Sequence, residues 1–206
     1  MTDQCKDFLE LQNNYRDNVD YRIRTIIHSG SIMVLAVHAG GIEPGTSELV
    51  QAIAGNDFSL YLFEGLGKNN QALHITSTDF DEPRFLEMIK KHHTSLSLHG
   101  FNETDADPLV YMGGNDLPLI QHLLIALIKN GYQARVNTGK YAATDPKNVC
   151  NRTISGKGVQ MEISAKLRRQ FFEDYSSRKG RKNTTTQFEQ FVQIIRNALL
   201  TYKASG

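Results

Sequence analysis

Cysteine is scarce in this chain of 206 residues, where Cys5 and Cys150 are the only two. Two thiols so far apart cannot form the dense cross-linked framework of a small secreted scaffold, and each serves equally well as a small buried apolar residue. Net charge is just as sparse, with 23 Lys and Arg against 22 Asp and Glu. That balance gives no overall electrostatic reason for nucleic acid or an anionic membrane to be the principal partner. The longest apolar stretch, 117–128, carries Gln121 and His122 and falls short of the roughly 20 residues that span a bilayer. The first residues, MTDQCKDFLELQNNYRDN, are polar where an export signal needs a basic start and an apolar run, so synthesis is expected in the cytoplasm. There is no long proline, serine or glutamine tract to suggest disorder, no internal repeat, and no G-x-S-x-G elbow to supply a serine nucleophile.

What is present reads as one ordinary globular domain spanning 1–206, with 40% hydrophobic and 22% charged residues. The run IMVLAV at 32–37 is a buried strand ending in His-Ala-Gly-Gly. PGTSELVQAIA at 44–54 then carries a helical apolar stripe, with Pro44 suited to its first position. SLYLFEG at 59–65 and QALHIT at 71–76, separated by Gly-Lys-Asn-Asn, read as a hairpin or neighbouring strands. A helix over 82–91 leads to HTSLSLHG, a strand that again ends in histidine and glycine. LVYMGG, a helix capped by Asp116 and stopped by Gly131, and short QARVN follow. Residues 138–156 form a long polar loop, GVQMEIS a strand, AKLRRQFFEDY a helix, and the segment from Phe188 to Leu199 a final amphipathic helix. Strands alternating with helices predict an α/β/α sandwich around a mixed, largely parallel sheet. Ligands of such sheets gather beyond the carboxyl ends of the strands.

His38, His99 and Glu162 lie at or near such ends. Two histidines and one glutamate are a known catalytic zinc set, and His38 and Glu43 share one short loop in which Gly40 and Gly41 let the backbone curl round an ion. Ordinary alternatives stand beside this reading. A histidine ending a strand can be a hydrogen-bonded structural residue, and an acid such as Glu43 is favoured near a helix N-terminus. Glu162 alternates with Met161 and Ile163, so it shares a strand face with Gln160. It is either a base aimed at a metal-activated water or an exposed acid on an edge strand. Arg152 offers a fork suited to a carboxylate beside a donor, Asn151, or is a surface loop arginine. His74 in its strand and His122 on its apolar helix read as structural.

The strings VHAGGIEPGTSELVQAIA, LHITSTDFDEPRF, SLHGF, VYMGGND, NVCNR and GVQMEIS resemble the phage and bacillar poly-γ-glutamate hydrolase family over about residues 30–170. The long string around His38 and Glu43 is the most specific, and Ala39 departs from the glycine common in relatives without removing a donor. The resemblance implies a zinc carboxypeptidase-like fold and hydrolysis of γ-amide bonds. It implies Zn2+ on His38, Glu43 and His99, with Glu162 as catalytic glutamate. Asn151-Arg152 resembles the carboxypeptidase Asn-Arg pair that grips a substrate carboxylate. Arg84, Lys157 and Arg168 are further candidates for the cationic anchors that such a polymer needs. The resemblance also implies a phage enzyme released by host lysis, and a monomer is expected. Two rivals remain in view: a zinc deacylase or deformylase of small acyl-glutamates, and a noncatalytic DNA-handling protein using RKGRK at 178–182.

Overall fold

A computed structural model describes residues 3–102 and 108–204. Seven strands form one sheet: β1 (Tyr21–Ile26), β2 (Ile32–Gly40), β3 (Ser59–Gly65), β4 (Thr94–Phe101), β5 (Val110–Gly114), β6 (Ala134–Val136) and β7 (Val159–Ser164). Their order is β1-β3-β2-β4-β7-β5-β6. The inner four run parallel, while β1 pairs antiparallel with β3 and β5 pairs antiparallel with β7. Every residue of β2, β3 and β7 is buried, as expected for strands covered on both faces.

Helices α2 (Thr46–Ala54), α4 (Leu117–Lys129) and α6 (Thr186–Ala204) pack on one face around Val34, Leu62, Leu96, Met161, Leu123 and Phe191. On the other face, α1 (Phe8–Asn14) and α3 (Pro83–Ile89) cover Leu35, Val37, Tyr61 and Phe63. There Phe80 meets Phe63 at 5.5 Å and Phe85 at 5.7 Å, both edge-on, the geometry that aromatic quadrupoles favour. The single-domain α/β/α sandwich with a largely parallel sheet is therefore what forms. Short α5 (Ala165–Gln170) follows β7 directly.

Three local expectations are corrected. Residues 71–76 are not a strand; Asn70–Leu73 form a 3-10 turn, and the antiparallel neighbour of β3 is β1 from the N-terminal segment. In β1 only Tyr21 is buried, and Arg22 and Arg24 alternate with Ile23 as befits an edge strand. The second helix starts at Thr46 rather than Pro44, because Gly45 adopts φ +97° and breaks the helical path. The helix after β7 ends at Gln170, where Phe171 and Phe172 turn into the core instead of continuing a solvent-facing helix.

Candidate metal and catalytic site

The site lies at the carboxyl ends of β2, β4 and β7. Leu96, Leu98, Met161 and Ile163 point into the α2/α4/α6 layer, so alternation sends Ser97, His99, Gln160 and Glu162 to the opposite face. Strict alternation from Val34 and Ala36 would also aim His38 into that layer. The register of β2 against β3 slips between Ala36 and Ala39, and such an irregularity re-aims a side chain. His38 instead bonds the Ile75 carbonyl through Nε2 at 2.8 Å and stacks on His74 with ring centres 4.0 Å apart.

His99 is held in the same way, its Nε2 lying 3.0 Å from Ser97 Oγ. Each imidazole has therefore spent its distal nitrogen and presents Nδ1. The two Nδ1 atoms are 3.1 Å apart, and Glu43 closes the triangle at 3.3 Å from His38 and 3.6 Å from His99. Ligands arranged tetrahedrally about 2.1 Å from a zinc ion would be about 3.4 Å apart. The donor set, its spacing and the outer hydrogen bonds thus fit zinc, because metal-bound histidines are oriented by partners on their far nitrogen. Glu43 is fixed by the Gly100 N–H to Oε2 at 2.8 Å.

The electrostatics agree with the geometry. Burial alone would raise the Glu43 carboxyl, but His38 and His99 outweigh it and hold it below the usual carboxylate range. Burial would lower His99, yet Glu43 beside it raises its pKa. Glu162 behaves oppositely to Glu43. Burial, reinforced by Glu43, raises it to about 7 against the pull of His99 and Arg168. It is 6% exposed on a strand interior to the sheet, paired in register with His99, and accepts a hydrogen bond from Gln160 Nε2 at 2.9 Å. An exposed acid on an edge strand is thereby excluded. Two carboxylates with divergent pKa values at one site are the usual signature of divided labour.

His74, read as structural from its sequence context, stands at the same place. One ligand atom from each of His38, Glu43 and His74 lies within 4.8 Å of the others, and Asp3 holds the His74 Nδ1 at 2.6 Å. No periodicity could have flagged it, because the segment is neither helix nor strand.

The cationic candidates are placed differently. Arg152 donates to the carbonyls of Lys147, Phe80 and Thr78, and the Asn151 amide to those of Ala143 and Asp145. Both residues knit loops together, and three of the five Arg152 donors are spent on backbone. Arg84 pairs with Glu82 at 3.0 Å and approaches Asp17 at 3.8 Å, on the α3 side.

Arg168 is fully buried and meets no acid one turn away. Its guanidinium donates to Pro44 O, Ile163 O, Phe101 O, Asn102 Oδ1 and Tyr175 Oη. Those acceptors adjoin Glu43, Glu162 and the end of the His99 strand, so one cation ties together the three segments that carry the site. The basic run at 178–182 is only partly absorbed: Arg181, 5% exposed, pairs with Glu48, while Arg178 pairs with Glu64 but stays exposed, as do Lys179 and Lys182. Cys150 is buried with its thiol pushed up by desolvation, which disfavours the nucleophilic thiolate.

No helix among the described residues is long and apolar enough to cross a membrane. A groove of about 1220 Å³ between α4 and α6 is lined largely by amides and apolar groups, on the far side of the sheet from these carboxylates and imidazoles.

Comparison with known proteins agrees with this architecture. A putative carboxypeptidase A from Shewanella denitrificans OS-217 shares the fold, with TM-score 0.53 at 10% identity over 89% of this chain and 61% of that one. YndL of Bacillus subtilis (strain 168) is 36% identical over 94% of this chain and 76% of its own length. A zinc-free structure of YndL superposes with TM-score 0.92 at 35% identity, over 98% and 99% of the two chains. A bacteriophage poly-gamma-glutamate hydrolase superposes with TM-score 0.95 at 38% identity over the whole of both chains. With the poly-gamma-glutamate hydrolase family model matching residues 5–194 as well, the chain belongs to that family.

Proposed function

We propose that this chain hydrolyses the γ-amide bonds of poly-γ-glutamate, with zinc on His38, Glu43 and His99 and with Glu162 as general base. The observation that carries the reading is the pairing of a preset donor triangle with a buried carboxyl of raised pKa on the adjacent strand. When bound, zinc supplies Lewis acidity, lowering the pKa of a water and polarising a carbonyl. Glu162 takes the proton of the attacking water and passes it to the leaving amine, and Gln160 holds its carboxylate in place. Glu43, kept ionised by its two imidazoles, serves as ligand and not as base.

The family and the 38% identity to the phage enzyme support this polymer over a small acyl-glutamate. Against a DNA-handling surface, Arg178 and Arg181 of the 178–182 run are each paired with a glutamate of the fold, Glu64 and Glu48. Release at host lysis would bring such an enzyme to an extracellular polymer. The test measures bound zinc and the release of short products from poly-γ-glutamate, with and without a chelator. Zinc near one per chain and chelator-sensitive cleavage support the reading, whereas cleavage unaffected by complete metal removal refutes it.

A further inference from the structure

The arginines nearest the site in sequence are spent on other partners, so the carboxylates of a polyanionic substrate need a cation from elsewhere. Strand register supplies one. His99 pairs with Glu162 across β4 and β7, Glu162 with Tyr111 across β7 and β5, and Tyr111 with Arg135 across β5 and β6. Residues in register project from the same face, so these four side chains form one line across the sheet. At about 4.8 Å per strand, Arg135 stands roughly 10 Å beyond Glu162.

The intervening surface is aromatic. Tyr111 lies 5.4 Å from Phe101 and 5.9 Å from Tyr141, ring centre to ring centre. The Arg135 guanidinium sits 5.2 Å over the Tyr111 ring. A guanidinium stacked on a ring keeps its N–H donors around its edge, in the plane that suits bidentate capture of a carboxylate. Among the described residues no carboxylate pairs with Arg135, and its side chain is exposed. Lys140 adds a second cation 4.9 Å over the Tyr141 ring.

A γ-linked residue carries two more methylenes in its backbone than the ~3.6 Å of an α-linked one, and so spans about 6 Å. The span from Glu162 to Arg135 therefore corresponds to one or two γ-glutamyl residues. We propose that Arg135, braced on Tyr111, is a subsite for the α-carboxylate of a γ-glutamyl residue one or two positions from the scissile bond. This rests on the poly-γ-glutamate reading above, and the aromatic floor receives the methylenes of the intervening link.

The experiment is a chemical double-mutant cycle. γ-Glutamyl tetramers, one with every α-carboxylate free and others with a single α-carboxylate converted to carboxamide, are cleaved by the wild-type protein and by Arg135→Gln and Arg135→Lys. Loss of a charge-assisted pair is expected to raise KM about tenfold in Arg135→Gln, with kcat within about twofold and bound zinc unchanged. Amidation at one position should raise KM in the wild type and have little further effect in Arg135→Gln, with Arg135→Lys intermediate because it keeps charge but not the planar stack. If each amidation has the same effect in wild type and Arg135→Gln, Arg135 is only a surface residue and the proposal is overturned, while the activity stands. If the wild type cleaves no tetramer and no polymer, the substrate reading itself fails and the subsite fails with it.

Discussion

Replacing Glu162 by Gln should cripple catalysis and at the same time stabilise the metal-free protein, and the two effects have different pH signatures. A carboxyl raised from 4.5 to about 7 holds its proton more tightly folded than unfolded. Below pH 4.5 both states are protonated and the group costs nothing. As pH rises the unfolded chain ionises first, so the cost to folding grows between about 4.5 and 7 and is constant above. Its ceiling is about 3 kcal/mol, since each pKa unit corresponds to about 1.4 kcal/mol. The amide removes that cost and keeps an oxygen for Gln160. For a domain of this size each kcal/mol moves Tm by about 2–4 °C. Thermal unfolding of chelated protein should therefore show a Tm gain of up to about 6–12 °C for Glu162→Gln at pH 8, fading to nothing at pH 4. Turnover of poly-γ-glutamate by the zinc-loaded variant should fall roughly 10²–10⁴-fold, the usual worth of a positioned base. A Tm gain equal at both pH values would refute the desolvation argument. Full activity with zinc retained would refute the assignment of the base.

Ser97→Ala removes the oxygen 3.0 Å from His99 Nε2 and should weaken zinc about 10–100-fold in competition with a chelating dye, with the apo Tm falling by a few degrees at about 1–3 kcal/mol for the buried nitrogen left without its partner. Arg168→Met strands the carbonyls of Pro44, Ile163 and Phe101 in a buried place, so urea unfolding should report a loss of about 3 kcal/mol or more. Arg168→Lys, too short to reach all of them, should keep the fold yet bind zinc more weakly. At Gly158 a Cβ would lie 1.9 Å from the Cys150 carbonyl oxygen, and backbone cannot yield cheaply. Gly158→Ala should cost several kcal/mol on the scale of severe core mutations, read as insoluble expression or a markedly lower Tm, whereas Gly67→Ala, with open space around it, should be near neutral.

Periodicity and punctuation in the sequence were enough to place β2, α2, β3, α3, β4, α4 and β7, because each buries a continuous apolar face that no other register would satisfy. They were also enough to nominate His38, Glu43, His99 and Glu162, since strand ends flanked by glycine are where such sheets expose chemistry. The edge strand β1 escaped that logic because its half-exposed Arg and Thr positions leave only a faint alternation. Tertiary structure alone decided the rest. The slip in β2 that turns His38 away from the helical layer, the Ile75 carbonyl that leaves His38 Nδ1 facing Glu43, and the arrival of His74 and Asp3 depend on contacts between distant segments. The fates of Arg152 and Arg168 were equally illegible: a guanidinium's role depends on which acceptors the folded chain brings within 3 Å, and spacing along the sequence carries no record of that.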